Sequence, residues 1–206
     1  MHIDRIQMPG PPDYRVGFLA SVEGIDGVGK STAVAMVGNI FMSKNLPLGI
    51  IRCPTKNGLG KYLRENYNTI PTWMLPALFQ LDMHNEAMRY KGKAAIADRW
   101  VDSNCATNRE ISIPDGLRLN AGLQTPDTTY LLDADPRALV QRRPDDPDLI
   151  DFDWQDEKRR RFLELAEMFP KRIHVLDATL PLDKISFKIA ADMMSSIRSM
   201  PEDQIK

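Results

Sequence analysis

Apolar positions in this chain fall into short continuous runs, separated by stretches in which they recur every third or fourth residue. Val16 to Val22 (VGFLASV) is almost wholly apolar, the pattern of a strand covered on both faces. Beyond a glycine-rich stretch, Ala33, Met36, Val37 and Ile40 recur at i, i+3, i+4 and i+7, which puts one buried stripe on a helix. Asn45-Leu46-Pro47 ends that helix, and Leu48 to Arg52 (LGIIR) reads as a second strand stopped by Cys53-Pro54. Helices are expected over Leu59 to Tyr67 and Thr72 to Tyr90, the second perturbed by Pro76. Lys93 to Ala97 (KAAIA) and Thr129 to Asp133 (TYLLD) are the third and fourth strands. Asp135-Pro136 resembles an N-cap followed by proline at the first helical position, with helix running to Arg142. A proline-rich, acidic loop spans Arg143 to Asp153. Helix follows over Trp154 to Phe169, with Phe162, Leu165, Ala166 and Phe169 on one face. A fifth strand, Arg172 to Leu176, and a final helix, Leu182 to Ile197, complete the chain.

Strands alternating with helices imply βαβ units. The expected fold is α/β, a doubly wound five-stranded parallel sheet with helices on both faces. The 206 residues suit a single domain with a sizeable core. Residues 1–15, with their Pro-Gly-Pro-Pro cluster, read as a flexible leader, and residues 143–153 as a lid loop.

Charge and cysteine usage narrow the classes. The formal net charge is −1, so no global basic field points to nucleic acid or an anionic membrane. No apolar run reaches transmembrane length. Cys53, Cys105 and the three histidines show no metal-ligand spacing. Without a secretory pattern the two thiols read as reduced, in a cytoplasmic protein.

The chemistry concentrates at Glu23 to Thr32, EGIDGVGKST. Gly24 to Ser31 matches G-x-x-x-x-G-K-[ST] without a gap, after an apolar strand and before an amphipathic helix. Glycines let the backbone curl so that successive N–H groups face phosphate oxygens. The helix N-terminus adds unpaired donors and its positive dipole end. Gly24, Gly27, Val28, Gly29, Lys30, Ser31 and Thr32 are therefore the candidate ATP-binding residues. Lys30 is expected to reach the β- and γ-phosphates, and Ser31 to offer its hydroxyl to Mg²⁺. Asp98, at the end of a buried strand, is the second candidate Mg²⁺ support. Lys158-Arg159-Arg160-Arg161 reads as the solvated face of its helix, with Arg159 placed for lid contact.

This cradle, followed by Asp98-Arg99-Trp100, resembles the thymidylate kinase family, P-loop nucleoside monophosphate kinases. Further segments carry the same resemblance. Arg52 to Lys56 (RCPTK) resembles the family's second-strand segment, and Leu78 to Asp82 (LFQLD) its base-stacking helix. Asp98 to Ala106 (DRWVDSNCA) resembles its acceptor segment. Tyr130 to Pro136 resembles its fourth strand, and Phe162 to Ala166 the helix after its lid.

The resemblance implies roles for particular residues. Asp26 would face the acceptor sugar and the metal region. Arg99 would hold the acceptor phosphate, with Lys56 where the family has another arginine. Phe79 would stack on the base and Asn104 would hydrogen-bond its edge. Met83, Ser103 and Thr107 would complete the acceptor site. Arg142 and Arg143 would open the lid and close over the transferring phosphoryl group. The Cys53-Pro54 bond would be cis, and the chain a homodimer acting on small nucleotides. Three departures stand out. Met83 replaces an arginine that reads the thymine carbonyl, Thr107 replaces a tyrosine near the sugar, and the lid is acidic. The departures weaken the case for plain thymidylate and suggest another pyrimidine, a modified one or relaxed choice; the expected acceptor is a pyrimidine (deoxy)nucleoside monophosphate, thymidylate or a related or modified pyrimidine.

A phosphate monoester has a second pKa near 6, so its oxygen attacks at neutral pH without a general base. Catalysis then requires positioning and charge neutralisation, supplied by Lys30, Mg²⁺, Arg99 and a lid arginine, and a lid that excludes water. Two rivals remain at this stage. One is a deoxynucleoside kinase or kinase of an unusual phosphorylated metabolite, although such nucleoside kinases tend to show Glu-Arg-Ser where this chain has Asp98-Arg99-Trp100. The other is a non-catalytic nucleotide-dependent switch.

Overall fold

The computed structural model describes residues 15–142 and 151–201. Five strands form one all-parallel sheet: β1 Phe18–Glu23, β2 Gly49–Arg52, β3 Ala94–Asp98, β4 Thr128–Asp133 and β5 Ile173–Asp177, in the order β2-β3-β1-β4-β5. Helices α1 Lys30–Ser43, α2 Gly58–Asn66, α3 Leu75–Ala87, α4 Val101–Ala106, α5 Ile113–Leu119, α6 Pro136–Arg142, α7 Phe152–Met168 and α8 Leu182–Arg198 connect and cover them. Each expected strand is present, within two residues of its expected ends. Residues 1–14 of the expected leader and 143–150 of the expected lid lie outside the described residues.

The continuous apolar runs have a direct cause. Side chains alternate across a strand, and here both sides are covered. Phe18, Ala20 and Val22 join Val34, Val37 and Phe41 of α1 and Ile185 and Ile189 of α8 in one core layer. Leu19, with Ile51, Ala95 and Ala97, joins Met83 and Trp100 in the other. No helix among the described residues is long and apolar enough to cross a membrane.

Register places the chemistry. Val22 pairs with Asp98, and Arg52 also pairs with Asp98, while Glu23 pairs with Leu131. The carboxyl ends of β1, β2 and β3 therefore meet at one edge. That edge is where open α/β sheets bind ligands.

One local expectation is corrected, and two short helices were not expected. Pro76 does not sit within a helix from Thr72 to Tyr90. The α-helix begins at Leu75, and Pro76 occupies its first turn, where a missing N–H costs no hydrogen bond. A 3₁₀ turn, Met88–Tyr90, follows. Helices α4 and α5 carried no periodic signal. All six residues of α4 are buried, Asp102, Ser103 and Asn104 among them, so it has no polar stripe to set against an apolar one. Cys53 and Cys105 are free thiols and both are buried.

Candidate active site

The loop between β1 and α1 turns on glycines. Gly24 has φ 137°, and a Cβ there would lie 2.4 Å from the Leu132 carbonyl oxygen. Gly29 caps α1 in a left-handed conformation, φ 101°. Both conformations exclude ordinary side chains. Val28 anchors the loop by burying its side chain in the core. Ser31 and Thr32 stand exposed in the first turn of α1.

Lys30 crosses the loop, and its Nζ donates to the Ile25 carbonyl at 2.6 Å. It is only 6% exposed. Burial, followed by repulsion from Arg99, lowers its pKa to about 7 against the partial attraction of Asp26, Asp98 and Glu23. Asp98 lies beside it at the end of β3, 8% exposed. Among the described residues the Asp98 carboxylate accepts no hydrogen bond, which leaves its lone pairs to a ligand.

Arg99 holds φ 71°, left-handed for a residue that is not glycine, a strain of ~1–3 kcal/mol that surrounding contacts must hold in place. Its N–H donates to the Val22 carbonyl at 3.2 Å. Its guanidinium donates to Ser103 Oγ at 3.1 Å, to the Gly24 carbonyl at 3.4 Å and to the Asp26 carboxylate. Asp26 also accepts from Lys158 Nζ. Burial pushes the Asp26 carboxyl upward, but Arg99, Lys158 and Lys30 together outweigh it and hold the group well below the usual carboxylate range.

Glu23, wholly buried at the start of the motif, has no counterpart among the expected site residues. Its carboxylate accepts from the Trp100 N–H at 2.7 Å and from the Ser103 hydroxyl. Burial first, then repulsion from Asp102, raises its pKa to about 7. Ser103 thus links Glu23 to Arg99 and orients the guanidinium. Both ends stand in motifs, but the link between them forms only when β1 and β3 pair.

A cavity of ≈ 460 Å³ opens beside Arg99. It gathers Asp26, Arg99, Ser103, Asn104, Thr107, Phe79 and Met83, expected from sequence, with Arg64, Tyr67, Trp154 and Lys158, which were not. Phe79 lies 6.4 Å from Tyr67, ring centre to ring centre, tilted at 46°. Thr107 donates to the Ser103 carbonyl at 2.8 Å. Asn104 gives its amide hydrogens to the Pro76 carbonyl at 3.0 Å and to Asn120 Oδ1 at 2.8 Å, so its own Oδ1 is the atom left for a base edge. Asp82 holds the loop after the cis Cys53-Pro54 bond by accepting from Thr55 N and Thr55 Oγ1, each at 2.7 Å.

Lys56 is not brought to Arg99. It is exposed and lines a different cavity, with Arg52 and Arg89. Arg64 of α2 lines the cavity beside Arg99 instead and donates to the carbonyls of Pro54 and Thr55. The substitution follows from packing: α2 folds back over the Cys53-Pro54 corner and turns Lys56 outward. The side chain of Arg142 and all of Arg143 lie outside the described residues.

The basic run on α7 is the other correction. Lys158 is 5% exposed and pairs with Asp26. Arg159 forms a two-point ion pair with Asp133, at 2.7 and 2.8 Å, rather than standing free for a lid. Arg161 donates to the carbonyls of Cys105, Ala106 and Ile111. Arg160 alone of the four is exposed, and it pairs with Glu157. Lys158 lies one turn before buried Phe162, so it sits on the inward face of the helix.

A phosphate cradle at the switch point of a parallel sheet, beside a cavity holding a fixed arginine, is the arrangement of a P-loop phosphotransferase. Residues 22–189 match the family model described as thymidylate kinase. The chain is 30% identical over 211 residues to the thymidylate kinase of Bifidobacterium longum subsp. infantis, an alignment covering 91% of this chain and 90% of the relative. It is 29% identical over 196 residues to the thymidylate kinase of Deinococcus radiodurans, covering 85% and 95%. It is 26% identical over 195 residues to a probable thymidylate kinase of Pyrococcus abyssi, covering 85% and 95%. The chain belongs to the thymidylate kinase family, and it is an ATP-dependent nucleoside monophosphate kinase.

Proposed function

We propose that the protein transfers the γ-phosphoryl group of ATP to the 5′-phosphate of a pyrimidine (deoxy)nucleoside monophosphate, thymidylate or a related or modified pyrimidine. The observation that carries this reading is the meeting of loop and acceptor arginine: Asp26, inside the cradle, is paired with Arg99 at the mouth of the acceptor cavity. Two polyanions bound in these places would lie end to end. Lys30 stabilises charge on the transferring group, Arg99 holds the acceptor phosphate, and Ser103 and Glu23 keep Arg99 aimed. Arg142 and Arg143 are proposed to reach over the transferring group when the lid closes. Phe79 and Tyr67 offer aromatic faces to the base, and Asn104 Oδ1 accepts from its edge.

The cradle fits magnesium. Among the described residues no group of three His, Cys, Asp or Glu side chains could hold a metal. A free serine hydroxyl and one unengaged carboxylate suit Mg²⁺, which is held by one or two side chains plus substrate phosphates. Ser31 and Asp98 are the residues that would hold it, and when bound it neutralises phosphate charge.

Incubation with ATP, Mg²⁺ and a panel of monophosphates tests the reading. A diphosphate product from a pyrimidine monophosphate is expected. If a free nucleoside gives product and every monophosphate fails, the acceptor assignment is wrong. Base choice has its own test. Met83 is nearly buried against the cavity and offers no donor. Met83→Arg is expected to shift kcat/KM toward thymidylate over deoxycytidylate by about tenfold, since a buried donor aimed at a carbonyl is what discriminates bases. Unchanged relative values would discard this role.

ATP binding is also expected to take up a proton. Lys30 with a pKa of about 7 is largely neutral at pH 8 in the free protein. A triphosphate seated against it favours the charged form. Titration calorimetry in two buffers of different ionisation enthalpy should register roughly one proton gained near pH 8. A buffer-independent enthalpy would place Lys30 away from the phosphates.

The reading includes a cytoplasmic homodimer. Exposed Trp73, Leu81 and Met88 on and beside α3 support self-association. Sedimentation of the whole chain at twice its monomer mass is the expected result.

A further inference from the structure

We propose that Asn120, the residue that ends α5, is a positioning residue for base recognition: it locks the Asn104 amide so that only an oxygen faces the acceptor, and the site takes bases that present an N–H there. The inference rests on the monophosphate reading above and deepens it, from the class of acceptor to the hydrogen-bond pattern of its base.

Two main-chain carbonyls carry the argument. Asn104 Nδ2 donates to the Pro76 carbonyl at 3.0 Å and to Asn120 Oδ1 at 2.8 Å. Asn120 Nδ2 donates in turn to the Gly116 carbonyl at 2.8 Å and to Cys105 Sγ at 3.8 Å. A main-chain carbonyl only accepts. The nitrogen end of each amide must therefore face its carbonyl, Pro76 for Asn104 and Gly116 for Asn120. Turning either amide over would set oxygen against oxygen. Both side chains are buried, 6% and 5% exposed, where an unmade hydrogen bond is costly. Pro76 belongs to the first turn of α3 and Gly116 to α5, so two helices fix the polarity of the pair from opposite ends.

The consequence falls on the acceptor cavity. With both amide hydrogens engaged, Asn104 offers only Oδ1, and among the described residues no group donates to it. Phe79 and Met83 line the same cavity without a side-chain donor, and Thr107 spends its hydroxyl hydrogen on the Ser103 carbonyl at 2.8 Å. Thymine and uracil meet Oδ1 with their ring N3–H, and cytosine with its amino group. A base whose donor is blocked leaves that oxygen unpaired, and a site built to bond an N–H rejects such a base. Asn120 itself lines a separate cavity of ≈ 470 Å³, with Leu117, Ala121 and Phe169. It acts through Asn104 rather than by touching the acceptor.

The alternative is that Asn120 only packs α5 against α4. Steady-state kinetics on the whole protein separate the two, with thymidine 5′-monophosphate and N3-methylthymidine 5′-monophosphate as paired acceptors for wild type, Asn120→Leu and Asn120→Asp. The methyl group replaces the ring N–H. Its bulk weighs on every variant alike, so a change in the ratio of kcat/KM reads the hydrogen bond. Wild type should prefer the unmethylated acceptor at least tenfold. Asn120→Leu keeps the size and loses the oxygen. It should shrink that preference at least fivefold, through KM for thymidine 5′-monophosphate, with KM for ATP unchanged. Asn120→Asp keeps an oxygen toward Asn104 and should hold the preference within threefold of wild type. A leucine variant of lower Tm but undiminished preference overturns the proposal and leaves the kinase reading standing. So does a wild-type protein that converts both acceptors equally well. A wild-type protein that converts neither sinks the acceptor reading, and this inference with it. Should Asn120→Leu fail to fold, hydrogen exchange decides in the wild type: the Asn104 side-chain amide hydrogens should outlast those of exposed Asn57 at least tenfold in heavy water, and equal rates overturn the lock.

Discussion

Lys30→Ala is expected to lower turnover by at least ~10²-fold while leaving the fold standing. The rate effect follows from removing a cation placed where charge develops as the phosphoryl group moves. The fold should survive because the native state gains little from this ammonium. Burial lowers its pKa to about 7, so the folded protein disfavours the charge that the unfolded chain carries freely in water. The sign can be checked. Between pH 7 and the ordinary lysine value near 10.5, the unfolded chain holds the Lys30 proton and the folded chain has shed it. Stability from this group therefore rises with pH across that window and is flat outside it. Urea denaturation at pH 7 and pH 9 should show this rise in wild type and its absence in Lys30→Ala. A variant that turns over at the wild-type rate would mean the loop does not hold the transferring group.

Arg99 should matter as much, and two substitutions separate its charge from its backbone. Arg99→Gly and Arg99→Ala both remove the guanidinium that contacts Asp26, Ser103 and Gly24. Each is expected to lower kcat/KM for the monophosphate by ~10²–10³-fold, the scale of losing one partner of a partly buried ion pair at a ligand site. Their stabilities should differ. Glycine accepts φ 71° freely and alanine does not, so the glycine variant should be more stable by ~1–2 kcal/mol. Equal and full activity in both variants would remove Arg99 from the acceptor site. A glycine variant with full activity and an alanine variant without it would show that conformation, not charge, was what the position supplies.

The cavity beside Arg99 was partly legible in the sequence, and the misses share a cause. Phe79, Met83, Asn104 and Thr107 were reached through motif resemblance, and one cavity holds all four. Asn104 was expected as a general base-edge partner, but its amide hydrogens are spent on Pro76 and Asn120, which narrows it to an acceptor. Lys56 was expected from the resemblance of Arg52 to Lys56 to the family's second-strand segment, whereas Arg64, on the helix that follows, lines the cavity instead. Glu23 stood in plain view inside the motif. Its role depends on Trp100 and Ser103, which are distant in sequence and adjacent only once β1 and β3 pair.

What the amino-acid order alone determined was the local grammar: which runs become buried strands, where glycine must permit a left-handed turn, and that a phosphate cradle opens the first helix. These are demands of backbone geometry and side-chain period, satisfied within a few residues of chain. What only the tertiary structure decided was the fate of the charges. Lys158 and Arg160 lie two residues apart in one basic run, yet one is buried against Asp26 and the other faces water. Whether a lysine is solvated or held beside a substrate depends on what packs opposite it. That partner comes from elsewhere in the chain, so no window of sequence around the lysine contains the answer.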